Sequence, residues 1–304
     1  MNPQEATYLR VVKRILEEGK TRGDRTGVGT KSVFGEHMTF DISETVPLLT
    51  TKRVAWKSII HELLWFCRGS TDVSELQALG VRIWDGNSTR EFLDGRKLAY
   101  EEGDIGPGYG FQWRHSGAEY VSCKHDYTGQ GFDQLAAIER GLKEDPYSRR
   151  HYMSAWNPSA LEAMALPPCH VSVQFYVEDE EGEEDEEGEE GNGKKRLNAL
   201  MVQRSADFYL GVPYNIFSYT CLTYLLAAKC GMKPGKLHIT TGDTHLYLNH
   251  MDAVLEQLER VPKTAPRLIV NPEVASKDWS EITIADFTLH GYEPHPAIRA
   301  PMAV

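Results

Sequence analysis

The chain has 304 residues, of which 41% are hydrophobic, a composition typical of a globular protein with a large core. It contains no run of about eighteen apolar residues, and its start lacks an apolar signal region. The sequence therefore argues against a membrane partner and predicts a cytoplasmic protein, with nuclear or mitochondrial pools also compatible. The five cysteines are scattered without a C-x-x-C pair, which favours a reducing compartment over a disulfide framework.

The formal net charge of −11 has a local origin. Residues 178–190 hold eleven acidic side chains, so the rest of the chain is close to neutral and the net charge says little about a functional site. We expect residues 178–193 to form a disordered loop inserted in place of a hairpin turn, because this composition buries too little apolar surface. A metal-binding acidic loop is the alternative, but the spacing does not match an EF-hand.

The first part of the chain predicts a helix followed by a hairpin. Apolar residues at helical spacing indicate an amphipathic helix that ends near Gly19, and these residues are Leu9, Val12, Ile15 and Leu16. Residues 31–34 and 38–41 are predicted as two short strands that turn about Gly35 and Glu36.

A second predicted helix carries a candidate acid–base group. Thr50 and Thr51 are expected to cap this helix, which runs to about Arg68 and is apolar on most sides. Glu62 lies inside the apolar run. Desolvation disfavours a charged carboxylate, so a buried Glu62 would suit proton transfer. Exposure on the wet side of the helix, or a structural ion pair, are the alternatives that the residues alone leave open.

Residues 166–219 hold a reactive thiol and a polar cluster. Alternating apolar and polar residues predict a strand from Val171 to Val177, directly after Cys169, and residues 197–202 would return beside it. The segment QRSAD, residues 203–207, would then emerge on the same side of the sheet as the thiol.

This arrangement brings a nucleophile, a guanidinium, a hydroxyl and a carboxylate to one site. Arg204 would raise the thiolate fraction of Cys169. A protease-like pair of Cys169 and His170 is the competing interpretation, but adjacent residues on a strand point to opposite faces.

Several motifs run in order along the chain and cover nearly all of it. They are DRTGVGT, IIHELLWFCRG, EEGDIGPGYGFQWRH, SRR before SAWNP, PPCH, QRSAD, GVPYN followed by SY, GDTHLYLNH and the terminal GYEPHPAIRAPMAV. Together they closely resemble the thymidylate synthases. The resemblance implies one α/β (α+β) domain over residues 1–304, with a large mixed curved β-sheet flanked by helices and one sheet face forming a homodimer interface.

The implied activity is that of a methyltransferase of nucleotide biosynthesis, which reductively methylates dUMP to dTMP. The implied co-substrate, 5,10-methylenetetrahydrofolate, provides both the carbon and the hydride and leaves as dihydrofolate, so no metal or nicotinamide is implied. His245 and His250 do not argue for zinc, because their spacing differs from the i, i+4 pair of H-E-x-x-H and no nearby cysteine or glutamate completes a ligand set.

The resemblance also implies catalytic roles. Cys169 would add to C6 of uracil, while Glu62, through ordered water, and Tyr109 would assist the proton transfers at O4 and C5. The implied catalytic set is completed by Arg204, Asp207 and Asn215.

The implied contacts to dUMP divide between its phosphate, ribose and base. The phosphate ligands are implied to be Arg25, Arg204 and Ser205, with Arg149 and Arg150 donated by the partner subunit across the homodimer interface. His245 and Tyr247 resemble the ribose ligands. Asn215 suits uracil, because its amide presents both a donor and an acceptor.

The implied folate site lies beside the nucleotide. Trp84 resembles the residue that covers the folate, and Asp207 the residue that hydrogen-bonds the pterin. The carboxyl end at Val304 matches a tail that closes over the site and excludes water. The other implied folate contacts are Ile83, Asn87, Leu166, Gly211 and Tyr214.

Four positions depart from the family's usual pattern. Gly108, Val202, Tyr214 and Phe217 stand where valine, an aromatic residue, phenylalanine and alanine are common. Tyr214 lies beside Asn215 and near the implied folate site, so this departure bears on folate affinity.

Two other functions compete with the synthase. A pyrimidine deoxynucleotide hydroxymethylase has the same fold but lets water trap the methylene, and Trp84 and the terminal Ala303-Val304 argue against it. An RNA-binding regulatory role occurs in some synthases. A basic stripe would indicate it, and the sequence shows none.

Overall fold

A mixed β-sheet forms the centre of the fold in the computed structural model, which describes residues 2–180 and 195–302. The strands are β1 Lys20–Arg22, β2 Thr30–Asp41, β3 Tyr152–Ser154, β4 His170–Asp179, β5 Lys195–Asp207, β6 Lys233–Tyr247, β7 Arg267–Val270 and β8 Phe287–His290. The first six form one sheet in the order β1-β2-β6-β5-β4-β3, and β7 pairs with β8. Within the large sheet only β5 and β6 are parallel neighbours, so the sheet is mixed, as the resemblance implied.

Helices cover one face of this sheet. The described α-helices are α1 Pro3–Glu18, α2 Trp56–Cys67, α3 Val73–Ala78, α4 Asp85–Ser88, α5 Arg90–Gly95, α6 Tyr109–His115, α7 Gln134–Glu144, α8 Gly211–Lys229 and α9 Met251–Leu258. The almost wholly buried α8 lies between the β5–β6 pair and α2, while α1 packs on β2. None of the described helices is long and apolar enough to span a bilayer.

The first helix confirms the prediction made from its apolar spacing. The side-chain oxygen of Asn2 accepts the backbone N–H of Glu5 at 3.2 Å, and Pro3 takes a first-turn position where no N–H donor is needed. The buried stripe includes Tyr8, Val11, Val12 and Ile15.

The two faces of the sheet differ in chemistry. One row of paired residues across five strands is buried, and its members are Met38, Ile239, Met201, Val173 and Met153. The adjacent row points to the opposite face, and its members are Thr39, His238, Leu200, Gln174 and Tyr152. Apolar side chains on that opposite face are partly open to solvent: Tyr152 is 52% and Leu200 36% exposed.

The predicted hairpin about Gly35 and Glu36 was wrong. Strand β2 is a single strand that pairs with β6 from Thr30 opposite Tyr247 to Asp41 opposite Lys236. Gly35 has a φ of +76°, but the register continues unchanged from Phe34 opposite Asp243 to Glu36 opposite Thr241, so the strand passes through this glycine without a turn.

Thr50 and Thr51 do not cap the second helix, which begins at Trp56. Their backbone N–H groups instead donate to the buried carboxylate of Glu5, at 2.9 and 2.7 Å. A buried carboxylate is costly unless it accepts hydrogen bonds. The N–H groups of Thr50 and Thr51 therefore serve Glu5, although both residues also suit a helix cap.

The predicted acidic loop begins later than the sequence suggested. Glu178 and Asp179 belong to β4, where Asp179 lies opposite Lys195. Glu180 forms ion pairs with Arg196 on β5 and with Lys233 on β6, so cations on neighbouring strands hold this acidic residue against the sheet. The rest of the predicted loop, residues 181–193, lies outside the described residues.

Candidate active site

A single cleft of about 1270 Å³ collects most of the residues selected from the sequence. They reach it from the loop before β2, from the segment before β4, from the ends of β5 and β6, and from in or beside α2, α4, α6 and α8. The selected residues that line the cleft are Arg25, Glu62, Ile83, Trp84, Asn87, Tyr109, Leu166, Cys169, Arg204, Ser205, Asp207, Gly211, Tyr214, Asn215, His245 and Tyr247.

Three selected residues are not among those that line this cleft. Arg149 and Arg150 are exposed at the start of β3, at the edge of the sheet. Val304 lies outside the described part of the chain, although Met302 contributes to the cleft wall.

Two hydrogen bonds hold the backbone of Cys169 in place. Its N–H donates to the hydroxyl oxygen of Tyr109 at 2.6 Å, and its carbonyl accepts the N–H of Arg204 at 2.9 Å. The second bond joins the end of β5 to the start of β4, which is the juxtaposition predicted from the two strands.

The guanidinium of Arg204 lies along the segment before Cys169. Its Nε donates to the carbonyl of Pro168 at 2.8 Å and its Nη2 to that of Pro167 at 3.0 Å. The guanidinium carbon also lies 5.3 Å from the ring centroid of Trp156.

Opposing effects act on the Cys169 thiol. Burial raises its pKa and dominates, Asp207 also raises it, and the cations Arg204 and Arg25 lower it. Arg204 therefore acts in the direction expected from the sequence, but burial outweighs it.

Glu62 is placed to exchange a proton near neutral pH. Burial raises the pKa of its carboxyl to about 7, against the lowering effect of a 2.8 Å hydrogen bond donated by the indole Nε1 of Trp84. A carboxyl group with a pKa near the working pH can both donate and accept a proton. Glu62 is therefore paired with an indole N–H, and the structural ion pair considered from the sequence was wrong.

His170 does not form a catalytic dyad with Cys169. Its Nδ1 lies 2.8 Å from the hydroxyl of Tyr219, and its ring stacks on Tyr109 with centroids 4.1 Å apart. Burial lowers the pKa of His170 to about 3, so the imidazole is neutral and a poor acceptor for the thiol proton.

A glutamine missed by the sequence reasoning orients Asn215. The Nε2 of Gln203 donates to Asn215 Oδ1 at 3.2 Å and to the carbonyl of Ser205 at 3.0 Å. Gln203 lines the cleft and is almost fully buried. Its place in the QRSAD motif, within a strand and next to Arg204, was the available signal.

The remaining polar groups are held by local hydrogen bonds. Asp207 Oδ1 accepts the N–H groups of Tyr209 and Leu210, at 3.1 and 3.2 Å, just before α8. His245 Nδ1 lies 3.0 Å from Asp243 Oδ1, and its ring meets that of Tyr247 edge to face.

The second histidine considered for a metal has another partner. Nε2 of His250 lies 2.7 Å from the carbonyl of Pro301, which anchors the C-terminal segment near the cleft. Within residues 2–180 and 195–302, no group of three or more histidine, cysteine or acidic residues could hold a metal ion.

Comparison with known proteins agrees with these features. A family model described as thymidylate synthase matches residues 6–304. The thymidylate synthase of Candida albicans is 51% identical over 100% of this chain and 98% of that protein, and that of Saccharomyces cerevisiae is 48% identical over the same shares. A bifunctional dihydrofolate reductase-thymidylate synthase of Zea mays is 49% identical over 99% of this chain, which spans 55% of that protein. This chain belongs to the thymidylate synthase family.

Proposed function

We propose that this protein converts dUMP to dTMP, with 5,10-methylenetetrahydrofolate as co-substrate and dihydrofolate as the second product. The observation that carries this proposal is the content of the cleft. A thiol, a carboxyl group with a pKa of about 7 and two arginines line the same cavity, and they are Cys169, Glu62, Arg25 and Arg204. These groups supply covalent addition, proton transfer and phosphate binding.

The phosphate end of dUMP would bind among the cations of the cleft. Arg25, Arg204 and the hydroxyl of Ser205 line the cavity and offer charge-assisted hydrogen bonds. His245 and Tyr247 lie at the end of β6 and would meet the ribose hydroxyl. Asn215 would then face the uracil edge.

Covalent addition begins with the sulfur of Cys169. A bond from Sγ to uracil C6 moves the electron pair of the C5–C6 double bond toward O4, and C5 becomes nucleophilic. Glu62 would protonate O4 through water, and Tyr109 would assist removal of the C5 proton. Cleavage of the same sulfur–carbon bond at the end restores the thiol.

The folate supplies the one-carbon unit and the hydride that completes the methyl group. The cleft suits it, because the rings of Trp84 and Tyr214 offer flat apolar surface and the Asp207 carboxylate offers an acceptor nearby. Further contacts would come from Ile83, Asn87, Leu166 and Gly211. Val304 would close the site, since His250 holds Pro301 and brings Met302 to the cleft.

We also propose a homodimer that forms through the open face of the sheet. The exposed row on that face includes Tyr152 and Leu200, and an apolar surface of this kind favours association. Arg149 and Arg150 are exposed at the sheet edge and do not line the cleft of their own chain. A second copy packed on this face would let them reach the phosphate in its cleft.

The test is product identification. Purified protein incubated with dUMP and 5,10-methylenetetrahydrofolate should yield dTMP and dihydrofolate in equal amounts, measured by chromatography and by the absorbance of dihydrofolate. Formation of 5-hydroxymethyl-dUMP with tetrahydrofolate would overturn the proposal in favour of the hydroxymethylase. Trp84 forms part of the cleft wall and is only 7% exposed, which favours exclusion of water and thus the synthase.

A further inference from the structure

Arg204 is restrained on its edge and on its face. The edge donates through Nε and Nη2 to the carbonyls of Pro168 and Pro167, which use two of the five guanidinium donors. The face lies over the ring of Trp156, at a distance typical of a cation–π contact. The remaining donors are thus aimed by these contacts, and an anion in the cleft can use them.

Trp156 acts on the cleft from outside it, since it is not among the residues that line the cavity. It is 37% exposed, whereas its neighbours Met153 and Ala155 belong to the core. A large aromatic side chain in this position contributes little to core packing. Its specific contact with a side chain of the cleft is the guanidinium of Arg204.

The backbone around Trp156 is tied to the strand that follows the nucleophile. The N–H of Ala155 donates to the carbonyl of Val171 at 2.9 Å, and the N–H of Trp156 donates to Ser154 Oγ at 3.1 Å. The backbone that carries the indole is therefore held by hydrogen bonds to β3 and β4. Cys169, Arg204 and Trp156 are held as one unit by strands of the same sheet.

We propose that Trp156 is a positioning residue for Arg204: its ring keeps the guanidinium beside the Cys169 segment and aimed at the nucleotide phosphate. This inference rests on the proposed function, in which Arg204 binds phosphate and supports the thiolate. Without the ring, the hydrogen bonds to the carbonyls of Pro168 and Pro167 remain, but nothing covers the face of the guanidinium, which gains freedom to rotate. Both phosphate binding and the electrostatic support of Cys169 would then weaken together.

The experiment compares Trp156→Ala with the conservative variant Trp156→Phe and with Phe132→Ala. Phe132 is 59% exposed, precedes α7 and does not line the cleft, so it controls for the loss of an exposed aromatic side chain away from the sheet face. The measurements are KM for dUMP, kcat, and the pH profile of Cys169 alkylation by iodoacetamide in free enzyme. Sedimentation reports the oligomeric state of each variant.

We expect Trp156→Ala to raise KM for dUMP about fivefold or more, with a smaller fall in kcat, and to move thiol alkylation to higher pH. Trp156→Phe should recover most of both effects, because a smaller aromatic face still covers the guanidinium. Phe132→Ala should leave both KM for dUMP and the alkylation profile unchanged. In an Arg204→Gln background, Trp156→Ala should cause no further shift in the alkylation profile.

An unchanged alkylation profile in soluble Trp156→Ala would overturn the inference, as would an equal shift in the presence and absence of Arg204. Should Trp156→Ala fail to fold, Trp156→Leu, which keeps an apolar side chain but has no aromatic face, decides the question through the same two readouts. The alkylation profile needs no turnover, so it tests the Trp156–Arg204 relationship even if wild-type protein makes no dTMP.

Discussion

The indole Nε1 of Trp84 donates a 2.8 Å hydrogen bond to Oε1 of Glu62. The same indole lies edge to face with Tyr109, whose hydroxyl accepts the N–H of Cys169. The residue proposed to cover the folate is thereby linked to the proposed proton donor and, through Tyr109, to the nucleophile. A change at Trp84 should therefore alter proton transfer as well as folate binding.

Replacement of Glu62 by glutamine should remove a pH-dependent cost to stability. The pKa of Glu62 is about 7 in the folded protein, above its ordinary value of 4.5, so the folded state binds more protons between these values. Its stabilising contribution is complete below pH 4.5 and is lost as pH rises through 7. Allowing for partial solvent exposure, Glu62→Gln should gain on the order of 2 kcal/mol relative to wild type between pH 5 and 8.

Urea denaturation at pH 5 and at pH 8 measures this difference. Glu17→Gln, an exposed change on α1, is the matched control and should behave like wild type at both values. If the free energies of unfolding of wild type and Glu62→Gln differed by the same amount at pH 5 and at pH 8, this result would contradict the raised pKa.

Trp84→Phe should raise the pKa of Glu62 while it keeps an aromatic ring at this position. The lost hydrogen bond lowers the pKa of Glu62 in wild type, so its removal should raise that pKa further. We expect the limb of the kcat profile controlled by Glu62 to move to higher pH and kcat at neutral pH to fall a few-fold. An unmoved profile with an altered folate KM would assign Trp84 to folate binding alone.

Cys169→Ser should abolish turnover and leave dUMP binding intact. A hydroxyl is a far weaker nucleophile than a thiolate, and His170 is already bound to Tyr219 and cannot serve as its base. Calorimetry with dUMP measures binding, and product analysis measures turnover. Turnover above a few per cent of wild type would exclude the covalent role of Cys169.

Two inactive variants should complement each other if the active site is shared. A Cys169→Ser chain mixed with an Arg149→Ala chain under subunit exchange forms a heterodimer in which one site has both the thiol and the partner's arginine. About a quarter of wild-type activity is expected when half of the dimers are mixed and each has one intact site. Proven exchange without recovery, or a monomer in sedimentation, would remove Arg149 from the partner's site.

Asn215→Asp should reverse the preference of the enzyme for uracil over cytosine. Gln203 holds the Asn215 amide, so its hydrogen-bonding pattern is set before the nucleotide binds. Uracil presents a donor at N3, whereas cytosine presents an acceptor there, and a mispaired buried group can cost orders of magnitude in kcat/KM. The check is the ratio of kcat/KM for dUMP and dCMP. An identical ratio in the two proteins would mean that another residue reads the base.

Local patterns were sufficient where a structure depends on neighbours in the chain. The apolar spacing from Leu9 to Leu16 predicted α1, because a helix places every third or fourth residue on one face. Alternation after Cys169 predicted β4 for the corresponding reason in a strand. The motifs around Cys169 and Arg204 identified the family and the residues that the cleft brings together.

Longer-range competition explains the predictions that failed. Gly35 has the local chemistry of a turn, but β6 pairs with β2 on both sides of this glycine in one unbroken register, so the strand continues through it. Thr50 and Thr51 are good caps, yet a buried carboxylate far away in the sequence took their donors. In both cases the winning partner comes from a distant segment, so local propensity could not reveal it.

The sequence by itself determined the family and selected the candidate nucleophile and the candidate acid–base group, because these depend on which residue types occur in which order. Only the tertiary structure decided how Glu62, Arg204 and Asn215 are held, since their partners Trp84, Trp156 and Gln203 come from other turns and strands. The raised pKa of Glu62 is likewise a product of burial in the folded cleft. Burial and hydrogen-bond direction exist only once the sheet and helices have packed, and they set the chemistry that each side chain can perform.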